Sequence, residues 1–286
     1  MTNAGSGRVT FDQDVVFGTG GEREVKLDIY VPPEGTSNRG GVLLIHGGGW
    51  SGGDRTQLRG FGILLGRVGY TCVSTQYRLS GEAKWPAQIH DVKAALRWMR
   101  ANSARLGIDP EKIAVSGNSA GGHLSLMVAA TANKPEFEGD GGTPGVSTGV
   151  AACVAIYPPT ELVHMGGEAR GAVSALMGPQ AADPDYAGAS PLSYARADFP
   201  PTMFLHGNKD ATVPVSASFK MYEALTAAGA TAEMHIFAGQ PHAFDAAPDY
   251  GRQCASLIDL FLKRHMLGIA PAGAREAVAA SGGGGA

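Results

Sequence analysis

Short apolar runs recur near residues 11–17, 25–31, 42–46, 71–76, 112–116, 150–157, 202–206 and 232–237. After the third, they alternate with helix-compatible or loop segments. Runs of this length bounded by turn residues read as strands, and continuous ones as strands buried on both faces. Alternation with helices implies right-handed β-α-β units, and the first two runs can pair as an antiparallel start. The expected class is therefore α/β, a mostly parallel eight-stranded sheet with helices on both faces. A helix is predicted over 86–106. Pro86 suits its first turn, Ile89, Val92, Leu96 and Met99 share one face, and Gly107 is a stop signal. A second helical stretch is predicted from about Ser216 to Ala228.

Other segments lack a clear period. Residues 134–149, rich in glycine, proline and acid, read as a surface loop. Residues 159–198 are expected to form a small lid or pocket wall, being too short for a large cap. One domain over 11–268 is expected, between a flexible N-terminus (1–10) and a disordered C-terminal tail (269–286) ending in a glycine run.

Composition narrows the setting. A chain of 286 residues with 44% hydrophobic content can bury one sizeable core. The net charge is −3, and no run of five like charges occurs, which argues against a nucleic-acid partner. The first residues lack the apolar core of a signal peptide, and no apolar run approaches the ~18 residues of a membrane span. Three unpatterned cysteines, at 72, 153 and 254, fit a reducing compartment. A soluble cytoplasmic protein without a membrane partner is expected, and oligomeric state is left open.

Chemistry enters at Gly117-Asn118-Ser119-Ala120-Gly121, a G-x-S-x-G segment between the apolar run Ile113-Ala114-Val115 and a helix-compatible stretch. In that context the motif forms a sharp turn that exposes the serine hydroxyl. Upstream, Val42 to Ile45 lead into His46-Gly47-Gly48-Gly49-Trp50. Backbone N–H groups of Gly48 and Gly49, with that of Ala120, are candidate donors to an oxyanion. The same loop matches G-x-G-x-x-G at Gly47, Gly49 and Gly52, but the next strand ends in Tyr77 and Arg78 without the carboxylate a dinucleotide site needs.

Downstream, a strand ends at His206-Gly207-Asn208-Lys209-Asp210, and another leads into Gln240-Pro241-His242. The order Ser119, Asp210, His242 is that of α/β-hydrolases. His242 would take the serine proton, and Asp210 would fix the imidazole. Asp245 is an alternative acid, but it is too near His242 in sequence to come from another loop; Asp183, Asp185 and Asp198 precede the strand. Among the eight histidines, His46 is expected to orient the glycine loop and His123 to be packed. No histidine pair stands at metal-ligand spacing, so neither a metal nor another cofactor is expected. Trp50 is placed either in the substrate pocket or over the sheet edge, and Arg78 is expected to hold loops through an unnamed carboxylate.

Over about residues 10–268 the chain resembles the α/β-hydrolase superfamily. It looks most like the esterase group that includes bifunctional feruloyl and acetyl xylan esterases, next to the hormone-sensitive lipase family. The resemblance rests on HGGGW at 46–50, PEFEGDGG at 135–142, GNSAGGHL at 117–124, HGNKDATVP at 206–214 and GQPHAF at 239–244. It implies a serine carboxylesterase acting on small-molecule esters of short acyl or aryl type, with Ser119 as nucleophile, Asp210 as acid and His242 as base. Gly48, Gly49 and Ala120 would form the oxyanion hole. The acid's surroundings differ from the D-P-L segment of hormone-sensitive lipases, and Asn118 stands where many relatives carry Asp or His. Kynurenine formamidases use a similar loop and elbow, so an aryl formamidase is the alternative. A non-catalytic ligand-binding hydrolase fold is a third reading, opposed by the presence of all three residues.

Overall fold

The computed structural model describes residues 7–163, 165–166 and 169–270. Eight strands form one sheet: β1 (Thr10–Gly20), β2 (Arg23–Val31), β3 (Gly41–Ile45), β4 (Thr71–Thr75), β5 (Ile113–Asn118), β6 (Ala152–Ile156), β7 (Thr202–Gly207) and β8 (Ala232–Phe237). Their order is β1-β2-β4-β3-β5-β6-β7-β8. β1 and β2 pair antiparallel, as do β2 and β4, and every later pair is parallel. This is the mostly parallel eight-stranded α/β sheet that the run pattern anticipated, in the α/β-hydrolase fold that the resemblance implies. The N-terminal segment expected to be flexible already enters β1 at Thr10, while the glycine-rich end of the tail lies outside the described residues.

The helices are α1 (Arg59–Arg67), α2 (Ala87–Ala101), α3 (Ser103–Leu106), α4 (Ala120–Ala130), α5 (Ala169–Met177), α6 (Asp183–Gly188), α7 (Ser216–Ala227) and α8 (Pro248–His265). Side-chain alternation along β3 divides the core in two. Leu43 and Ile45 join the cluster that contains α2 and α4, while Val42 and Leu44 join the one beneath α1 and α8. The helix predicted over 86–106 breaks at Asn102, so α2 and α3 share that span. Its stripe is as expected: Ile89, Val92, Leu96 and Met99 are fully buried.

α8 was not read from the sequence, yet its signals are there. Pro248 occupies the first turn with Asp249, and Lys263, Arg264 and His265 occupy the last, which suits the helix dipole. Gly251, Cys254, Ala255, Ile258, Phe261 and Leu262 are buried on one face. The helix packs against β6 and β7 and reaches α1.

α4 is buried along its whole length and runs directly from the end of β5. That close approach needs glycine at 121: a Cβ there would stand 1.9 Å from the Ile45 carbonyl oxygen. β3, β5 and α4 are thereby drawn together at the carboxyl edge of the sheet, where open α/β sheets place ligands.

Candidate active site

Ser119 sits between β5 and α4 with φ +53° and ψ −120°. Few non-glycine residues adopt such a conformation, and holding one costs about 1–3 kcal/mol. The backbone is fixed from both sides: Ser119 N–H donates to the Ile156 carbonyl at 2.8 Å, and His123 N–H donates to the Ser119 carbonyl at 2.9 Å. The hydroxyl is left at the edge of the sheet, 2.9 Å from His242 Nε2. His242 Nδ1 lies 2.6 Å from Asp210 Oδ2. The three residues expected from the sequence therefore form one hydrogen-bonded chain, drawn from the ends of three strands.

Asp210 is buried, which by itself disfavours its charge. Hydrogen bonds from His206, His242 and the Val213 N–H outweigh that cost and hold the carboxyl well below the usual carboxylate range. Its other oxygen accepts from the N–H groups of Thr212 and Val213 at 2.9 and 2.8 Å. His206 closes the arrangement with Nε2 at 3.2 Å from Asp210 Oδ2. The sequence did not single out His206, although it lies four residues before the acid at the end of a buried strand.

The glycine loop lies against the elbow: a Cβ on Gly47 would be 3.3 Å from the Ser119 Cβ. Gly48 has φ +108° and Gly49 φ +58°. These left-handed conformations turn the loop, and the Gly48 carbonyl accepts from Ser51 and Gly52 N–H at 3.1 and 3.0 Å. Among the described residues, the N–H groups of Gly48 and Gly49 donate to no protein acceptor. Ala120 opens α4, where the first N–H groups have no partner within a helix. His46 supports this loop from below. Its Nδ1 meets the Gly47 carbonyl at 2.8 Å, and its ring stacks on Tyr77 at 4.3 Å between centroids.

Arg78 finds its carboxylate in Asp91 of α2, with two contacts of 2.8 Å. Trp50 borders the cavity but is 1% exposed, and its indole N–H donates to His123 Nδ1 at 3.3 Å. It serves as packed wall. His123 is fully buried and its other nitrogen meets the Ala189 carbonyl at 2.7 Å, which ties α4 to the 159–198 segment. Burial pushes the His123 imidazole down to about 4, so it stays neutral there.

A cavity of about 920 Å³ opens over Ser119 and His242. Leu58, Phe61 and Leu64 supply an apolar wall on the α1 side, and Ala169 and Ala172 of α5 face it from the 159–198 segment. Asp245, set aside as the acid, also borders this cavity, and it is buried. Tyr157 lies beside it. Neither was found from the sequence as a site residue. Tyr157 carried no motif, and Asp245 was considered only in the role that Asp210 fills.

Among the described residues, no helix is long and apolar enough to cross a membrane. Residues 27–225 match the BD-FAE family model. Esterase LipQ of Mycobacterium tuberculosis is 35% identical over 260 residues, 87% of this chain and 61% of that protein. The chain thus spans less than two thirds of that relative's length. Among solved structures, propionate-bound esterase 2 of Thermogutta terrifontis superposes with TM-score 0.76 at 28% identity, covering 94% of this chain and 97% of that one. The same esterase phosphonylated by sarin gives 0.78 at 27%, covering 94% and 98%. A truncated carbohydrate esterase from gut microbiota gives 0.78 at 26%, covering 91% and 99%. With a family match across most of its sheet and esterase folds superposing along nearly its whole length, this chain belongs to the BD-FAE family of α/β-hydrolases.

Proposed function

We propose that the chain is a serine carboxylesterase that hydrolyses esters of short acyl or aryl acids through an acyl-Ser119 intermediate. The observation that carries this reading is the unbroken chain from Ser119 Oγ through His242 to Asp210. A serine hydroxyl is a weak nucleophile at neutral pH, so His242 Nε2 accepts its proton as Oγ attacks the ester carbonyl. Asp210, held ionised, keeps Nδ1 protonated and stabilises the imidazolium that forms. Negative charge gathers on the carbonyl oxygen, and the N–H groups of Gly48, Gly49 and Ala120 are assigned to receive it.

Collapse of the intermediate breaks the bond to the alcohol oxygen, and His242 returns the proton to that oxygen as the alcohol leaves. A water then gives its proton to His242 and attacks the acyl carbon, which releases the acid and restores Ser119. The cavity lies near the upper end of the ~300–1,000 Å³ usual for small-molecule sites. Its apolar wall suits a short aliphatic or an aromatic acyl group. The propionate bound to the Thermogutta esterase is in keeping with that size.

The test is kcat/KM for p-nitrophenyl acetate, butyrate, octanoate and decanoate, with Ser119→Ala as control. Wild-type turnover of the short esters, abolished in the variant, is expected. A Ser119→Ala protein that keeps the wild-type rate would overturn the assignment.

A further inference from the structure

Behind His242 stands a second polar chain that the hydrolytic steps above do not use. Asn118, immediately before the nucleophile, donates from Nδ2 to the Tyr157 hydroxyl at 3.1 Å. That hydroxyl in turn donates to Asp245 Oδ1. The chain links the elbow after β5, the end of β6 and the turn that follows His242. The Asn118 Oδ1 is buried without a partner among the described residues, so the amide is held from its Nδ2 side, by Tyr157.

The Tyr157 ring occupies a particular place. Its centroid is 4.5 Å from that of His242, tilted by 58°, and 6.4 Å from that of His206 at 73°. It therefore sits beside both imidazoles that approach Asp210. Phe244 closes a further side at 5.7 Å. Tyr157 holds this position with φ +39°, a strained conformation for a bulky residue, although its N–H still donates to the Leu205 carbonyl at 2.8 Å. Strain of this kind persists only where the surroundings over-determine it.

Asp245 is equally costly where it is. A buried carboxylate needs partners, and burial pushes this one above its ordinary range while the Tyr157 hydroxyl favours its ionised form. A packing role alone would be met as well by a phenylalanine at 157 and an apolar residue at 245.

We propose that Tyr157 is a positioning residue for His242, and that Asp245 and Asn118 are the anchors that fix its ring. This rests on the reading of His242 as the proton acceptor. The ring face restricts the imidazole to the orientation in which Nδ1 meets Asp210 and Nε2 meets Ser119. Asp245 sets the ring by accepting the hydrogen bond of the Tyr157 hydroxyl, which ties the anchor to the turn that carries the base.

The experiment uses p-nitrophenyl acetate kinetics on wild type, Tyr157→Phe, Asp245→Asn and the double variant, each normalised to the concentration of folded protein. Both substitutions are near-isosteric, and circular dichroism and the melting temperature report the fold independently of Ser119 reactivity, so a loss of fold is separated from a loss of rate. A fall in kcat of about 10- to 100-fold with KM nearly unchanged is expected for each, since misplacing a catalytic group by about 1 Å costs that much. The double variant should be no slower than the slower single one, because both act through one chain. Single variants that keep the wild-type kcat, or losses that multiply in the double, would overturn the proposal. Ser119→Ala run alongside separates the two readings. If it retains turnover, the hydrolytic reading fails; if it does not, while Tyr157→Phe and Asp245→Asn match wild type, only the positioning role fails.

Discussion

His206 and His242 reach the same oxygen of Asp210, at 3.2 and 2.6 Å, though one is fully buried and the other borders the cavity. His206 Nε2 also lies 2.9 Å from the Val213 carbonyl. Facing two acceptors, that nitrogen carries the proton. Its Nδ1 then accepts from the Ser218 hydroxyl at 2.7 Å, which joins the acid's loop to α7. His206→Ala is expected to leave the Val213 carbonyl and the Ser218 hydroxyl without this partner and to destabilise the protein by about 1–3 kcal/mol. Turnover should fall as well, because the Asp210 loop loses its inner support. Thermal unfolding and p-nitrophenyl acetate kinetics check this. A variant with wild-type stability would show that the inner histidine supports nothing.

Stability should also depend on acid through Asp210. Its carboxyl is held below the ordinary value of 3.8 in the folded protein, so the unfolded chain binds the proton more readily. The contribution is therefore complete above about pH 4–5 and is lost as pH falls through and below the ordinary carboxylate range. Asp210→Asn should flatten this part of the stability-against-pH curve. Urea unfolding at pH 3 and pH 7 measures it, and an equal pH dependence in the two proteins would count against the linkage.

The glycine loop gives a sharper test. Gly48 has φ +108°, and a Cβ there would stand 2.3 Å from the Gly52 carbonyl oxygen. Alanine cannot be accommodated unless the loop moves. Gly48→Ala should cost about 100- to 1,000-fold in kcat, the loss typical of one missing oxyanion donor. Circular dichroism and thermal unfolding should still report a folded protein. A variant with unaltered kcat would remove Gly48 from the oxyanion assignment.

What could be read from the sequence was what depends on neighbours along the chain. Ile89, Val92, Leu96 and Met99 announce their helix by spacing, and Ser119 announces its turn by flanking glycines and an apolar run. Asp210 and His242 were found because each follows its own strand. Tyr157 and Asp245 are 88 residues apart, and no local pattern says that their side chains meet. The same holds for Arg78 and Asp91: an arginine at a strand end calls for a carboxylate, but only the fold chooses which. α8 was different. Its capping charges and buried stripe were present in the sequence, at the spacing a helix requires.

The wall of the cavity offers a test of where the acyl group lies. Leu64 is only partly buried, and it borders the open space that reaches Ser119. A larger side chain at this position would fill cavity rather than core, so overpacking strain should be small. If the acyl chain extends along α1, Leu64→Trp will shorten the longest chain accepted. Hydrophobic pockets discriminate single methylenes by about 10- to 200-fold, so kcat/KM for the octanoate ester should fall by at least tenfold relative to the acetate ester. Acetate turnover itself should change little, because the acetyl group need not extend beyond Ser119 and the glycine loop. An equal fall for both esters would mean that α1 borders the leaving alcohol instead, and the acyl group would then be assigned to the side formed by α5.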